Sequence, residues 1–400
     1  MNNSPTLREK VMTKLKKRRQ RIIDGRVNCI PSPFQRFSND YIGLEQETYI
    51  CVTSFTKGGK SQLVSFLMIY STLLYAYKNP DKEIDITFIY FPLEETPDRI
   101  MERFMSYLLF NISNGRIRID PKTLRSTTSA VDETVLNTLE SEEYTKILKF
   151  FEEHIIFSSE SNPTGILKFC TKYAEENGET FYKTYTVKDE FGNPVERKVF
   201  DHYVLTNPNK YIVPVIDTIN IIDTERGMSL KQSMDKMSEY CAKIMRNRYH
   251  MTPIVIQQQA FESEGNDALK LGKIRPSVAG LGDSKYVSRD ANIVLGLFSP
   301  ARFGLKDYLG YNIDILKDHV RFLEVCVNRD GAMGGIIALY FDGACCYFRE
   351  LPIAKKKNAR GTLEETPEIK RVYEYIQHEE AANTTFFAYS IKKIKEILHL

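Results

Sequence analysis

The chain has 400 residues, 42% of them hydrophobic, with 55 basic and 52 acidic side chains and a formal net charge of +3. Length and apolar content allow a large core and two or three domains, while the near-balanced charge by itself argues for no polyanionic partner. No run of 18 apolar residues is present, the start MNNSPTLREK contains no apolar signal segment, and the seven cysteines lack metal-ligand spacing. These features argue against a membrane span, a disulfide scaffold and a zinc site, and predict a cytosolic protein with reduced core thiols.

Residues 1–24 predict a basic helix. Between Arg8 and Arg21 there are eight basic residues and one acid, and Leu7, Val11, Leu15 and Ile22 form a broken apolar stripe. Such a segment suits contact with phosphate backbones or docking on a neighbour. Gly25 stops it, and 28–41 is a proline-containing approach loop. Residues 49–68 (YICVTSFTKGGKSQLVSFLM) then read as strand, small-residue turn and helix. In that order glycines let backbone N–H groups converge on phosphate oxygens, Lys60 reaches the terminal phosphates, and Ser61 ligates Mg²⁺. The binding segment comprises Ser54, Lys57, Gly58, Gly59, Lys60, Ser61 and Gln62, with Ser54 standing where glycine is usual.

Residues 84–93 (IDITFIYFPL) predict the next buried strand, ending at Glu94 and Glu95, and Pro97 opens a helix through about Leu109. Alternation of strand and helix implies parallel pairing with crossovers, and an acid at the carboxyl end of a central strand lies where open α/β sheets bind ligands. Further expected elements are a short strand at 117–119, a helix at 131–148, a strand at 154–158 and a helix at 164–176. An inserted β-hairpin is expected within 178–207. The run 211–222 (YIVPVIDTINII) delivers Asp217, a carboxylate able to support the Mg²⁺ shell opposite Ser61, although Pro214 is awkward inside a strand. A helix at 229–248 and a strand at 252–256 lead to Gln257, Gln258 and Gln259, amides placed to sense a γ-phosphate. The loop 261–283, with Lys273 and Arg275, is a candidate for contacting a polymer. Strands at 291–298 and 321–327 precede a terminal hairpin, Lys355, Lys356 and Lys357 mark a linker, and 366–398 reads as two short helices.

Taken together, SFTKGGKS (54–61), FIYFPLEET (88–96), VIDTINII (215–222), PIVIQQQ (253–259), the 275–297 segment and VNRDG (327–331) resemble the ATPase domain of DnaB-type replicative hexameric helicases. The resemblance covers residues 26–350. It implies an α/β fold: a RecA-like P-loop NTPase core with a mostly parallel central sheet flanked by helices, the β-hairpin insertion and a small C-terminal helical extension. The expected division is 1–30 linker helix and approach loop, 31–350 ATPase domain, and 351–400 extension. The resemblance further implies ATP and Mg²⁺ as cofactors, Glu94 as general base, Gln259 as the glutamine coupling nucleotide state to DNA-facing loops, and Arg329 as a cation completing a neighbour's site. Single-stranded DNA (through Lys273, Arg275 and Lys285), a homo-oligomer of hexameric form, and a primase or helicase loader are the implied partners. Departures are Ser54, Val327 in place of a lysine and Gly282 in place of an arginine. No counterpart of the family's N-terminal helical domain is expected, and the basic helix is expected to latch onto an adjacent subunit. The alternatives are a RecA-like recombinase that coats DNA, and a nucleotide-binding structural or loading protein with weakened catalysis.

Overall fold

The computed structural model describes residues 6–260, 274–281, 286–358 and 360–382. One sheet is built from β1 (Ile50–Ser54), β2 (Asp85–Pro92), β3 (Ile155–Phe157), β4 (Lys210–Asp217), β5 (Ile254–Gln258), β6 (Ile293–Phe298), β7 (Val320–Asn328), β8 (Ile336–Asp342) and β9 (Tyr347–Glu350). Across the sheet the order is β9-β8-β7-β6-β1-β5-β4-β2-β3. The strands from β6 to β3 are parallel, and β7, β8 and β9 extend the sheet antiparallel beyond β6.

The apolar runs in the sequence are continuous because the parallel strands are covered on both faces. Alternate residues of β2 serve opposite layers, Phe88 and Tyr90 joining one core and Ile89 and Phe91 the other. Pro97–Ile112 and Glu142–His154 pack on the first face, together with the helical run from Lys60 to Lys78, which includes a π-helical stretch at Ser65–Tyr70. Pro163–Glu176 and Leu230–Glu239 cover the second. Pro214 lies within the ladder to β2, opposite Ile89, but one residue before the ladder to β5, which begins at Val215.

Several elements differ from expectation. Residues 117–119 form no strand; Ile117 and Ile119 instead rest half-buried on the first core. The helix expected at 131–148 is two, Glu133–Leu139 and Glu142–His154, because Ser141 takes an extended N-cap conformation between them. Lys355–Lys357 is a short strand, not a linker; it pairs with Leu363–Glu365 and sets Lys355 opposite Glu365 and Lys356 opposite Glu364. Of the two C-terminal helices, Pro367–Ala382 is described, and its Ile369, Val372 and Ile376 join a core with Phe298 and Phe322; 383–398 lies outside the described residues.

Leu7–Ile23 is a helix with a reciprocal Thr6/Glu9 capping box. Lys14 binds Glu47 at 2.7 Å and Arg18 pairs with Glu45, whereas Leu7, Val11, Leu15 and Ile22 remain exposed. The inserted hairpin pairs Gly178–Lys188 with Pro194–Leu205. It is anchored at its base by the Tyr203 hydroxyl, which donates to Ala174 O at 2.6 Å. No helix among the described residues is long and apolar enough to cross a membrane.

Candidate nucleotide site

At the end of β1 the chain turns through residues 55–59 into the helix beginning at Lys60. The turn demands its glycines. Gly59 has φ +97°, and a Cβ on Gly58 would lie 2.4 Å from Ser54 Oγ and 3.0 Å from Phe55 O. Ser54 is accommodated in the position where glycine is usual because its hydroxyl turns inward and donates to Phe55 O at 2.8 Å. The exposed Lys57 adopts φ +57°. Lys60 is buried, and Gln62 donates through Nε2 to Gly343 O at 3.0 Å, in the turn after β8.

Three strand ends converge on this loop. Ser61 Oγ donates to Asp217 Oδ1 at 2.9 Å, and the Tyr90 hydroxyl donates to Asp217 Oδ2 at 2.7 Å. Asp217 is 4% exposed. Burial pushes its carboxyl above the usual range, the Tyr90 and Ser61 bonds and Lys60 oppose that rise, and Glu94 adds to it. A hydroxyl and a carboxylate side by side fit Mg²⁺, which retains waters and takes its remaining ligands from phosphates. Among the described residues no cluster of three or more His, Cys, Asp or Glu forms a closed protein metal cage.

The adjacent acids at the end of β2 are distinguished by their surroundings. The backbone N–H groups of Leu93 and Glu94 both donate to Asp217 O, at 2.8 and 3.3 Å, holding this turn beside the aspartate. Glu95 is engaged by Arg103, whereas the exposed Glu94 carboxylate makes no hydrogen bond or ion pair among the described residues.

The three glutamines diverge. Gln258 donates to Thr56 Oγ1 in the loop, and its own N–H donates to Asn220 Oδ1 at 2.6 Å. Gln259 is buried: its Nε2 donates to Thr53 Oγ1 at 2.8 Å and Ser277 O at 3.1 Å. It thus joins β1 to the segment 274–281. Gln257 donates to Leu281 O at 3.0 Å.

Arg329 is not at this site. Asn328 is in register with Ile293, and Ile293 with Ile50, so Arg329 lies by the start of β1 while the loop leaves its end at Ser54. That separation is about 13 Å of strand. Its Nε donates to Ala291 O at 2.9 Å, and Nη2 to Arg289 O. Arg275 faces Glu324 at 3.6 Å, and Lys273, Gly282 and Lys285 lie outside the described residues.

Two participants escaped the sequence reading. Tyr90 carries a hydroxyl inside an apolar strand, where a buried O–H needs a partner. Arg321 is a charge opening the apolar run of β7, and its Nε donates to Gly58 O at 2.9 Å. In both cases a polar group interrupting an apolar strand was the available signal.

Tyr90→Phe deletes one of the two side-chain bonds to Asp217. It is expected to raise the Mg²⁺ concentration giving half-maximal nucleotide binding by about three- to tenfold, a change equivalent to the net worth of one ordinary hydrogen bond; a Mg²⁺ titration checks this. Asp217→Asn has a separate signature. The raised carboxyl pKa means that the folded state binds the extra proton, so its favourable contribution is present at low pH and lost as pH rises through the folded pKa. Without nucleotide, Asp217→Asn should therefore raise Tm at pH 7 by about 1–3 °C, the gain shrinking toward pH 4, as thermal melts across pH will test.

No protein-family model and no curated protein matches the sequence. Solved structures do match. One of them, described as an ATPase domain, aligns over 88% of this chain and 100% of its own length, with a TM-score of 0.57 and 14% identity. "The Structure Of A DnaB-Like Replicative Helicase And Its Interactions With Primase" aligns over 86% of this chain and 67% of its own, with a TM-score of 0.56 and 13% identity. The chain has the fold of a RecA-like P-loop NTPase core: a largely parallel sheet flanked by helices, carrying a β-hairpin insertion and a C-terminal helix.

Proposed function

We propose that the protein is an ATP-hydrolysing motor of the DnaB-like helicase type, which assembles as a ring and moves on single-stranded DNA. The observation that carries this reading is the Glu94 carboxylate, unpaired among the described residues, on the turn that is bonded to Asp217 beside its pair with Ser61. The shared fold with an ATPase domain over that domain's whole length supports it. In this reading Lys60 and the loop N–H groups bind the phosphates of ATP, and Ser61 and Asp217 hold Mg²⁺. The metal supplies charge neutralisation at the β- and γ-phosphates. Glu94 orients the attacking water and accepts its proton.

Arg329, remote from its own loop, acts on the site of a neighbouring subunit. The exposed apolar stripe of Leu7–Ile23 docks on that neighbour. Gln259 links the β1 end to segment 274–281, so a change at the phosphate loop reaches Arg275 in that segment, which with Lys273 and Lys285 makes up the proposed DNA contacts. A primase or loader is the expected further partner, in keeping with the helicase structure described with primase.

The test is steady-state ATP hydrolysis by the purified protein with and without single-stranded DNA, alongside its mass in solution with Mg²⁺ and nucleotide. DNA-stimulated turnover by a closed oligomer is expected. A monomer that binds ATP without hydrolysing it overturns the reading.

A further inference from the structure

We infer that Arg321 is the positioning residue of the phosphate loop, a cation from β7 that grips the loop from behind through the Gly58 carbonyl and keeps its N–H groups aimed at the bound phosphate. The inference rests on the nucleotide-site reading above. It concerns a residue eight positions before Arg329, at the other end of β7 and with a different task.

Arg321 is 2% exposed, a rare location for a full charge. Its donors are divided among four acceptors. Nε donates to Gly58 O at 2.9 Å, Nη1 to Asp318 O at 2.8 Å and Val320 O at 2.9 Å, and Nη2 to Asp318 Oδ1 at 2.9 Å. The guanidinium carbon lies 4.2 Å from the centroid of the Phe341 ring, which fixes its plane. The direction of the contact follows from the peptide geometry: a carbonyl drawn out of the loop leaves the next N–H pointing the other way, into the concavity where anions bind. Arg321 Nε is only 3.8 Å from the place a Cβ on Gly59 would occupy, so the cation lies directly under the turn.

Its electrostatics suit the task. Burial disfavours the charged guanidinium, and the one carboxylate paired with it, on Asp318, is 73% exposed and well screened. The positive charge is thus incompletely neutralised on the loop side, and a phosphate seated in the turn completes it. Ser54 adds a reason for such a grip. Its side chain occupies the inner side of the turn, with Cβ 3.1 Å from where a Gly58 Cβ would sit, and Arg321 secures the same residue from the outside.

A merely structural arginine would change thermal stability alone. A positioning arginine also changes nucleotide affinity at temperatures where the variant is fully folded. Calorimetric titration with MgADP and MgATP, well below each variant's Tm, separates the two roles for wild type, Lys60→Ala, Arg321→Met, Arg321→Lys and Phe341→Leu. Arg321→Met should weaken both nucleotides about tenfold, equivalent to about 1.4 kcal/mol. Arg321→Lys should recover part of this, since one ammonium can serve Gly58 but lacks the planar fork. Phe341→Leu should weaken binding about threefold. If Arg321→Met does not fold, the lysine and leucine variants carry the test. Wild-type affinity in both of these, with Lys60→Ala defective, overturns the role of Arg321 and leaves the nucleotide site intact. Absence of nucleotide binding by wild type overturns the site reading itself.

Discussion

Replacing Glu94 by glutamine is expected to lower ATP turnover by about 10²- to 10⁴-fold while leaving nucleotide affinity within about twofold. The substitution keeps size and hydrogen-bonding capacity but removes the carboxylate proposed to accept the water proton. Position, more than chemistry, distinguishes it from its neighbour. The Leu93 and Glu94 N–H groups are bound to Asp217 O and the Glu94 carboxylate is exposed, whereas Glu95 is engaged by Arg103 on the following helix. Glu95→Gln should accordingly cost less than about tenfold in turnover, its effect falling chiefly on the pair with the mostly buried Arg103. Phosphate release and binding of a fluorescent nucleotide, measured on both variants, compare these expectations. Equal losses in the two would mean that the acids are not differentiated as their surroundings imply.

Arg329→Ala is the second large effect, an expected loss of about 10³- to 10⁵-fold in turnover if the arginine stabilises transition-state charge in a neighbouring subunit. Within one chain the residue has no route to the phosphates. It stands by the start of β1, and the loop stands at its end. Its guanidinium rests on the carbonyls of Arg289 and Ala291 at the surface, contacts that a partner site can replace at small cost. Removing an exposed side chain should shift stability by no more than about 0.5 kcal/mol. Loss of activity without loss of Tm or of nucleotide binding is therefore the expected pattern. Because Val327, two positions earlier, is uncharged, little residual trans activation should remain. Wild-type turnover in Arg329→Ala would show that hydrolysis does not use this residue.

How much of this was legible beforehand depended on the local character of each signal. The turn from β1 into the helix at Lys60 was readable because glycines, lysine and serine at fixed spacing leave few alternatives. Buried strands β2, β4 and β6 were readable as continuous apolar runs, and Asp217 was conspicuous as the acid ending one of them. Pairings between distant segments were not readable. Nothing local to Lys355–Lys357 announces that it pairs with Leu363–Glu365, and a lysine triplet ordinarily reads as a solvated linker. Ile117 and Ile119 carry apolar alternation yet pair with no strand among the described residues, and they pack as loop side chains.

The same limit applied at the site. Glu94 and Glu95 are chemically alike, and Arg103, eight residues beyond Glu95, distinguishes them only once the helix is folded back. Gln257, Gln258 and Gln259 are one residue type in a row. Strand alternation sends Gln258 to Thr56 and Gln259 to Thr53 and Ser277, a division that the triplet does not display. Arg321 reaches Gly58 across 263 positions of sequence, beyond any local pattern.

If the hydrolytic site is completed between subunits, as proposed, mixing two inactive variants restores turnover. Glu94→Gln subunits retain Arg329, and Arg329→Ala subunits retain Glu94. In a mixed oligomer some interfaces pair an intact Glu94 with an intact neighbouring Arg329. Steady-state ATP hydrolysis with single-stranded DNA, followed as the two proteins are titrated against each other, should rise from near zero through a maximum at intermediate ratios. Turnover that stays at the level of the separate variants at every ratio, in oligomers shown by mass to contain both, would contradict an interfacial site.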